Sequence, residues 1–367
     1  MEDMTLYWLA FNMAFVYYPA AARRALDRFP SVPEIFRAGR SELETLRLRD
    51  DTLEALVNGR ILGEAERELE NIRRKAYTLL TFGDPRYPRR LKEIFDPPHV
   101  LYCRGSAEVL DDPAVAIVGS RRPTAYGRAL AEKLAGDLAA RGCTIVSGLA
   151  AGVDACAHWG ALRQGRTIGV LGSGLDVLYP RENRGLAEKI AEQGAIITEF
   201  PLGTKPLAAN FPVRNRIISG LALGLVVVEA AERSGSLISA KFALEQNREV
   251  MAVPGNVTSE LSRGSNGLIR EGAKLVAGWE DVASELPSPW RENLLAQTEE
   301  KTDNKPASLS REENRLMKEL PADATVHIDD LADAADFSIA ELLVLLLGLE
   351  LRGLVVQLPG KYYQRRI

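Results

Sequence analysis

The chain has 367 residues, 46% hydrophobic, 26% charged and 7% aromatic, with a formal net charge of −4. This supports buried cores in two or three domains and excludes a polycation. No run of about eighteen apolar residues occurs, so no membrane span is expected. The opening segment, MEDMTLYWLAF, carries acids where a signal peptide needs bases, so a cytoplasmic, reducing location is expected. Cys103, Cys143 and Cys156 lack metal-ligand spacing and read as buried small hydrophobes. His99, His158 and His327 lie near no nucleophile-and-acid grouping in the sequence. No metal, cofactor or catalytic residue is therefore expected.

Residues 1–75 read as a helical domain. Leu6, Leu9, Ala10, Met13 and Val16 recur at helical spacing, Pro30 and Pro33 interrupt, and one long charged helix is predicted over about 51–75. Residues 76–285 alternate helical segments and glycine turns with the runs AVAIVGS, TIVSGLA, TIGVLGSG, AIITEF, GLVVVEA and EVMAVPG. Runs apolar throughout fit strands buried on both faces of a parallel sheet. Their βαβα order predicts an α/β fold with a doubly wound, mostly parallel, Rossmann-like sheet. Residues 286–310 are polar and read as a linker, and 311–367 read as a domain of three helices and a β-wing.

Charge is uneven. From Thr81 to Trp290 there are 24 basic and 23 acidic residues, while the flanks hold 22 basic and 27 acidic. Nucleic-acid binding would have to come from a focused basic groove in the middle of the chain.

Ligands of doubly wound sheets bind outside the carboxyl ends of the strands. The turn Gly119-Ser120-Arg121-Arg122-Pro123-Thr124 lands there, offering a close backbone approach, a helix start and two guanidinium groups, which together suit phosphate. An ordinary βα turn with solvated arginines would carry the same residues. A dinucleotide fingerprint would need glycine at Arg121 and an acid just after Ser147-Gly148-Leu149-Ala150. The loop Gly172-Ser173-Gly174 has Val177 at its third glycine position, so NAD is disfavoured. In Asn210-Phe211-Pro212-Val213-Arg214-Asn215-Arg216 an aromatic lies among arginines and asparagines, as in a single-strand platform. A core phenylalanine with surface ion pairs is the other reading. Ser234-Gly235-Ser236 opens a helix containing Lys241, and serves both as an N-cap and as a potential phosphate nest.

Together these segments resemble the DprA/Smf family. The resemblance runs over about residues 80–275, through VAIVGSRRPTAYG, SGLAAGVDACAHWGAL, GVLGSGLDVLYPREN, TEFPLGTKP, NFPVRNRIISGLA, SGSLISAKFALEQNREV and GSNGLIREGA. It implies an extended Rossmann domain between an N-terminal helical domain, of SAM or helix-hairpin-helix type, and a C-terminal winged helix. It further implies single-stranded DNA binding, interaction with RecA as a recombination mediator, and a part in natural transformation and competence. By resemblance, Arg121 contacts DNA and Phe211 stacks on a base. Where many relatives have threonine after SGSL, this chain has Ile238. The expected DNA-binding set comprises Gly119, Ser120, Arg121, Arg122, Ser147, Gly148, Gly172, Gly174, Asn210, Phe211, Arg214, Asn215, Arg216, Ser234, Gly235, Ser236 and Lys241. A homodimer is also expected, because two copies on one strand gain from avidity.

The last domain has seven bases and ten acids, and its third helix is acidic and leucine-rich. A winged helix normally puts that helix in a major groove, but phosphate neutralisation comes first. Protein contact or structural packing is the expectation. Two rival functions are a LOG-type nucleotide hydrolase, whose PGGxGTxxE segment is missing, and a winged-helix regulator, against which the acidic third helix weighs.

Overall fold

The computed structural model describes residues 4–296, 309–321 and 324–365. Residues 297–308 of the expected linker lie outside the described residues, as do Asp323 and Arg366.

The N-terminal module consists of helices α1 (Met4–Phe15), α2 (Pro19–Arg28), α3 (Val32–Ile35), α4 (Arg40–Glu44), α5 (Asp50–Val57) and α6 (Arg60–Arg74). The long helix predicted over 51–75 is thus two helices. Gly59 between them has φ +72, a left-handed conformation that ends α5, and the Asn58 side chain accepts from the Arg60 amide at 3.0 Å to start α6. The module does not have a core of its own. Leu9, Phe11 and Phe15 share one buried cluster with Val100, Tyr102, Ile190 and Ile196 of the next region. Trp8 stacks on His99 with ring centroids 5.9 Å apart, and Asn12 Nδ2 donates to the Glu199 carbonyl at 2.9 Å.

The middle region is a nine-stranded sheet. Its strands are β1 (Thr78–Thr81), β2 (Val100–Gly105), β3 (Ala114–Val118), β4 (Thr144–Ser147), β5 (Thr167–Val170), β6 (Ala195–Thr198), β7 (Gly224–Val227), β8 (Glu249–Ala252) and β9 (Lys274–Leu275). The order is β1-β2-β6-β5-β4-β3-β7-β8-β9. From β6 to β9 every pairing is parallel, as the fully apolar runs predict. The strands β1 and β2, absent from the predicted list, add an antiparallel edge. The helices are α7 (Arg89–Lys92), α8 (Ala125–Ala139), α9 (Val153–Leu162), α10 (Arg184–Gln193), α11 (Asn210–Leu221), α12 (Gly235–Glu245), α13 (Arg263–Arg270), α14 (Trp279–Glu285) and α15 (Trp290–Ala296). One buried cluster joins α11 and α12 to one face of the sheet, and another joins α8, α9 and α14 to the opposite face. Leu294 and Trp290 of α15 pack into the second cluster. The stretch 290–296 is therefore part of this region rather than of the linker, because its two large apolar side chains find a buried surface. Cys103 and Cys143 are buried, and burial pushes both thiols up to about 12.

The C-terminal domain has α16 (Arg311–Glu319), α17 (Ile328–Ala335) and α18 (Ile339–Leu351). A small sheet, β10 (Val326–His327), β11 (Val355–Leu358) and β12 (Tyr362–Arg365), completes a winged helix with its own core. Ser310 and Ser338 cap α16 and α18 in capping boxes with Glu313 and Glu341. Among the described residues no helix is long and apolar enough to cross a membrane.

Candidate nucleic-acid interface

Strand order reverses at β3: β4 lies on one side of it and β7 on the other. In an open parallel sheet this reversal leaves a crevice at the carboxyl ends of the strands. A cleft of about 610 Å³ occupies that place, bounded by the loop after β3 and the starts of α11 and α12.

The loop after β3 is held from below. Glu229, buried at the end of β7, accepts from the Thr124 amide at 2.9 Å and from the Thr124 hydroxyl at 2.5 Å. Thr124 in turn caps α8, its Oγ accepting from the Gly127 amide at 3.1 Å. Behind the loop, Gly152 has φ +84, and a Cβ there would stand 2.4 Å from the Ser120 carbonyl. Only glycine allows the loop so close to the start of α9. With its backbone pinned, the loop presents Arg121 and Arg122 as exposed side chains. Arg121 lines the cleft, and Arg122 does not.

Phe211, in the first turn of α11, is half-buried and lines the cleft. One ring edge rests on Gly172, where even a Cβ would crowd it at 3.0 Å. The Arg121 and Arg214 guanidinium carbons lie 5.5 and 5.9 Å from its centroid. Tyr179 tilts toward it with centroids 5.9 Å apart and is 45% exposed. The core-phenylalanine reading therefore does not hold: the ring is supported on one side and open to the cleft.

Arg214 is a buried cation of the cleft floor. It donates to the carbonyls of Gly148, at 2.6 Å, and Val170. Burial lowers its pKa to about 10, opposed by nearby Asp154, so it stays charged at neutral pH. Asp154 is pushed upward by burial and held back by Arg214 and by the Gly148 and Ala150 amides. The asparagines brace the site. Asn210 donates to the Gly172 carbonyl at 3.1 Å, and Asn215 to the Gly235 carbonyl at 3.3 Å. At the start of α12, Ser234 Oγ accepts from the Ser236 amide, and the two hydroxyls are 2.8 Å apart. The positive ends of α11 and α12 both face this cleft, a favourable setting for anions.

The fold thus brings Gly119, Arg121, Phe211, Arg214, Asn215, Ser234, Gly235 and Ser236 to one cleft. Ser120, Gly148, Gly172, Gly174 and Asn210 are not among its lining residues; the Gly148 carbonyl accepts from the lining Arg214, Ser120 Oγ from the Arg122 amide, the Gly172 carbonyl from Asn210, and the Gly174 amide donates to the Thr204 carbonyl. Four further expected residues do not line the cleft: Arg122, Ser147, Arg216 and Lys241. Ser147 is fully buried, with its hydroxyl donating to the Ile117 carbonyl at 2.6 Å. Arg216 is buried in a bidentate pair with Glu199 at 2.9 and 2.7 Å and also reaches Asp96, because it lies on the side of α11 that faces away from the cleft. Lys241 is exposed two turns into α12, 3.8 Å from Glu245, and does not line the cleft. The sequence reading missed Tyr179, Asp154 and Glu229. An aromatic in the polar loop LDVLYPREN is the one signal of the kind that marked Phe211. Glu229 acts through Thr124, distant in sequence, and Asp154 through distant Arg214 as well as the nearby Gly148 and Ala150 amides.

A family model described as DNA recombination-mediator protein A matches residues 78–287, and a DprA winged helix domain matches residues 300–361. Protein Smf of Synechocystis sp. is 35% identical over 98% of both chains. An X-ray structure of DNA processing protein A from Streptococcus pneumoniae aligns with TM-score 0.65 at 33% identity. It covers 78% of this chain and 99% of that one. A structure of DNA processing protein A from Helicobacter pylori, described by its single-stranded DNA binding mode, aligns with TM-score 0.53 at 32% identity. It covers 60% of this chain and 96% of that one.

Proposed function

The chain belongs to the DNA recombination-mediator protein A family, and on that premise we propose that it binds single-stranded DNA in the cleft at the β3 crevice and presents the strand to a RecA-type recombinase. One observation carries this reading: an aromatic ring with an open side, flanked by two guanidinium groups, at a place where two helix N-termini converge. Stacking is tolerant of base identity because every base has a π-face, and the cations and helix ends neutralise the backbone. The rings and cations are too few and too local to grip a duplex along its length. Arg121, Phe211, Arg214, Ser234 and Ser236 are the proposed contacts, with Tyr179 joining Phe211 as a second ring.

The protein acts by holding rather than cutting. The cleft's polar side chains are guanidinium, amide and hydroxyl groups with one carboxylate, Asp154, which is taken up by Arg214 and by the Gly148 and Ala150 amides, and the sequence carries no G-x-x-x-x-G-K-[ST] loop to drive strand exchange. Handing the strand to a recombinase, in recombination and in uptake of transforming DNA, gives such holding its use. A symmetric dimer would let two clefts engage one strand.

The test has two arms. Binding of the full chain to single strands should exceed binding to duplex and should weaken as salt rises, because phosphate neutralisation releases counterions. RecA ATPase on strands precoated with single-strand-binding protein should rise when the protein is added. Salt-independent binding or duplex preference removes the first claim. Absent stimulation with the same organism's RecA removes the second.

A further inference from the structure

The cleft uses one side of α11. On the opposite side lies a groove of about 560 Å³, between α2, the segment before β2, and the bodies of α11 and α12. Its apolar walls include Ile94, Val213 and Phe242, and Phe95 stands at its edge. Phe95 is 81% exposed, a rare placement for so large a ring. The ring is nonetheless held in place. The Arg23 guanidinium carbon lies 3.7 Å from its centroid, and Arg23 Nη2 donates to the Phe95 carbonyl at 2.7 Å. One face of the ring is covered by a cation and the other is open.

The groove's charges are partly matched already. Asp96 receives Arg216 at 3.2 Å, and Glu245 lies 3.8 Å from Lys241. Among the described residues Arg23, Arg24 and Asp27 have no ion-pair partner; Arg24 donates instead to the Leu46 carbonyl. The lining as a whole holds three arginines and three carboxylates, but no carboxylate pairs with Arg23, the cation on Phe95, or with Arg24. This repeats the composition of the cleft: an aromatic ring with a guanidinium on one face and a second arginine nearby.

We propose that this groove is a second stacking subsite for the same single strand, in which the open face of Phe95 takes a nucleobase while Arg23 and Arg24 hold the adjoining phosphates. The proposal rests on the reading of the cleft as a single-strand site. A helix is about 10 Å across. The way half round it is about 16 Å, so a strand leaving Phe211 and passing over exposed Val213 needs about five stacked bases at about 3.4 Å each to reach Phe95. The guanidinium-backed ring and the two arginines without a carboxylate partner favour a nucleic acid over an apolar peptide segment, which would leave them unused.

Fluorescence anisotropy of the full chain with oligothymidylates of two lengths tests this, about 5 and about 16 nucleotides, spanning the range of single-strand site sizes. Phe95→Ala should leave the short oligomer's Kd unchanged and weaken the long one about tenfold, while Phe95→Trp keeps both. Arg23→Ala should lower the salt dependence of the long oligomer alone. Phe211→Ala should weaken both lengths. If Phe95→Ala binds the long oligomer as the parent does while Phe211→Ala is impaired, the second subsite is overturned and the cleft stands. If Phe211→Ala is silent at both lengths, the cleft reading itself fails. Phe95 is exposed, so its replacement does not endanger the fold.

Discussion

The guanidinium carbon of Arg121 lies 5.5 Å from the ring centroid of Phe211, although ninety positions separate them in the chain. One comes from the loop after β3 and the other from the first turn of α11, and the strand reversal beside β3 brings them together. The pair is the centre of the proposed strand-binding cleft, and it gives the first prediction. Arg121→Glu should nearly abolish single-strand binding, since a carboxylate then repels phosphate where a cation attracted it. Arg121 is exposed, so the melting temperature should stay close to the parent's. A folded Arg121→Glu protein that binds normally would remove this loop from the site.

The two rings should share the stacking. Phe211→Ala is expected to weaken binding by about 1–3 kcal/mol, the range for loss of one base–aromatic contact. Tyr179→Ala should weaken it by a smaller amount in the same direction, because its ring is tilted 44° from that of Phe211. Titration of fluorescent oligomers measures the binding, and urea denaturation of each variant reports any packing lost against Gly172. Unchanged binding in both variants would leave the cleft without its stacking platform.

Arg216 should behave in the opposite way from Arg214's neighbourhood in the cleft. Arg216→Ala leaves the buried Glu199 without its bidentate partner, so stability should fall by about 3–5 kcal/mol. Single-strand affinity, measured where the variant is folded, should hardly move. Pairing Arg216→Met with Glu199→Leu should recover much of the loss, since neither charge is then left buried and alone. A selective binding defect in a stable Arg216→Ala protein would return this residue to the DNA contacts.

Two histidines, His158 fully buried and His99 partly so, set an acid limit on stability. Burial lowers His158 to about 3 and His99 to about 4, against 6.5 for an exposed imidazole. Both are neutral in the folded protein, whereas the unfolded chain takes up protons below about pH 6.5. Stability therefore falls with pH from there, by about 1.4 kcal/mol per unit for each histidine until its folded value is reached. Buried Asp154 and Glu199 are shifted upward and act with the opposite sign, so the difference between parent and His158→Gln isolates one histidine. Denaturant midpoints between pH 7.5 and 5.5 should fall less steeply in His158→Gln; parallel slopes would contradict the burial argument.

Removing the winged helix, residues 309–367, should leave single-strand affinity largely intact. The domain has more acids than bases, and α18 exposes Leu343, Val344 and Leu347 rather than cations. A large loss of affinity on deletion would mean that this domain touches the strand after all.

The parallel sheet was legible in apolar runs such as AVAIV and GLVV, which are buried on both faces only in such a sheet. The winged helix was legible too, through three helical segments followed by a wing whose Pro359-Gly360 turn acts over a few residues. The sequence by itself marked Arg121 and Phe211, since a glycine turn and an aromatic among cations are local patterns. Tertiary structure alone decided which arginine serves which purpose. Arg214 and Arg216 are two positions apart in one helix. One lies by Phe211 in the cleft, and the other is sealed against Glu199. Nothing in NFPVRNR distinguishes them, because the difference is which face of α11 meets which neighbour. The same holds for Glu229, which holds the Arg121 loop through Thr124 from 105 positions away, and for the helical module, whose apolar stripe finds its partner on β2. Periodicity tells that a face will be buried, but only chain topology tells against what.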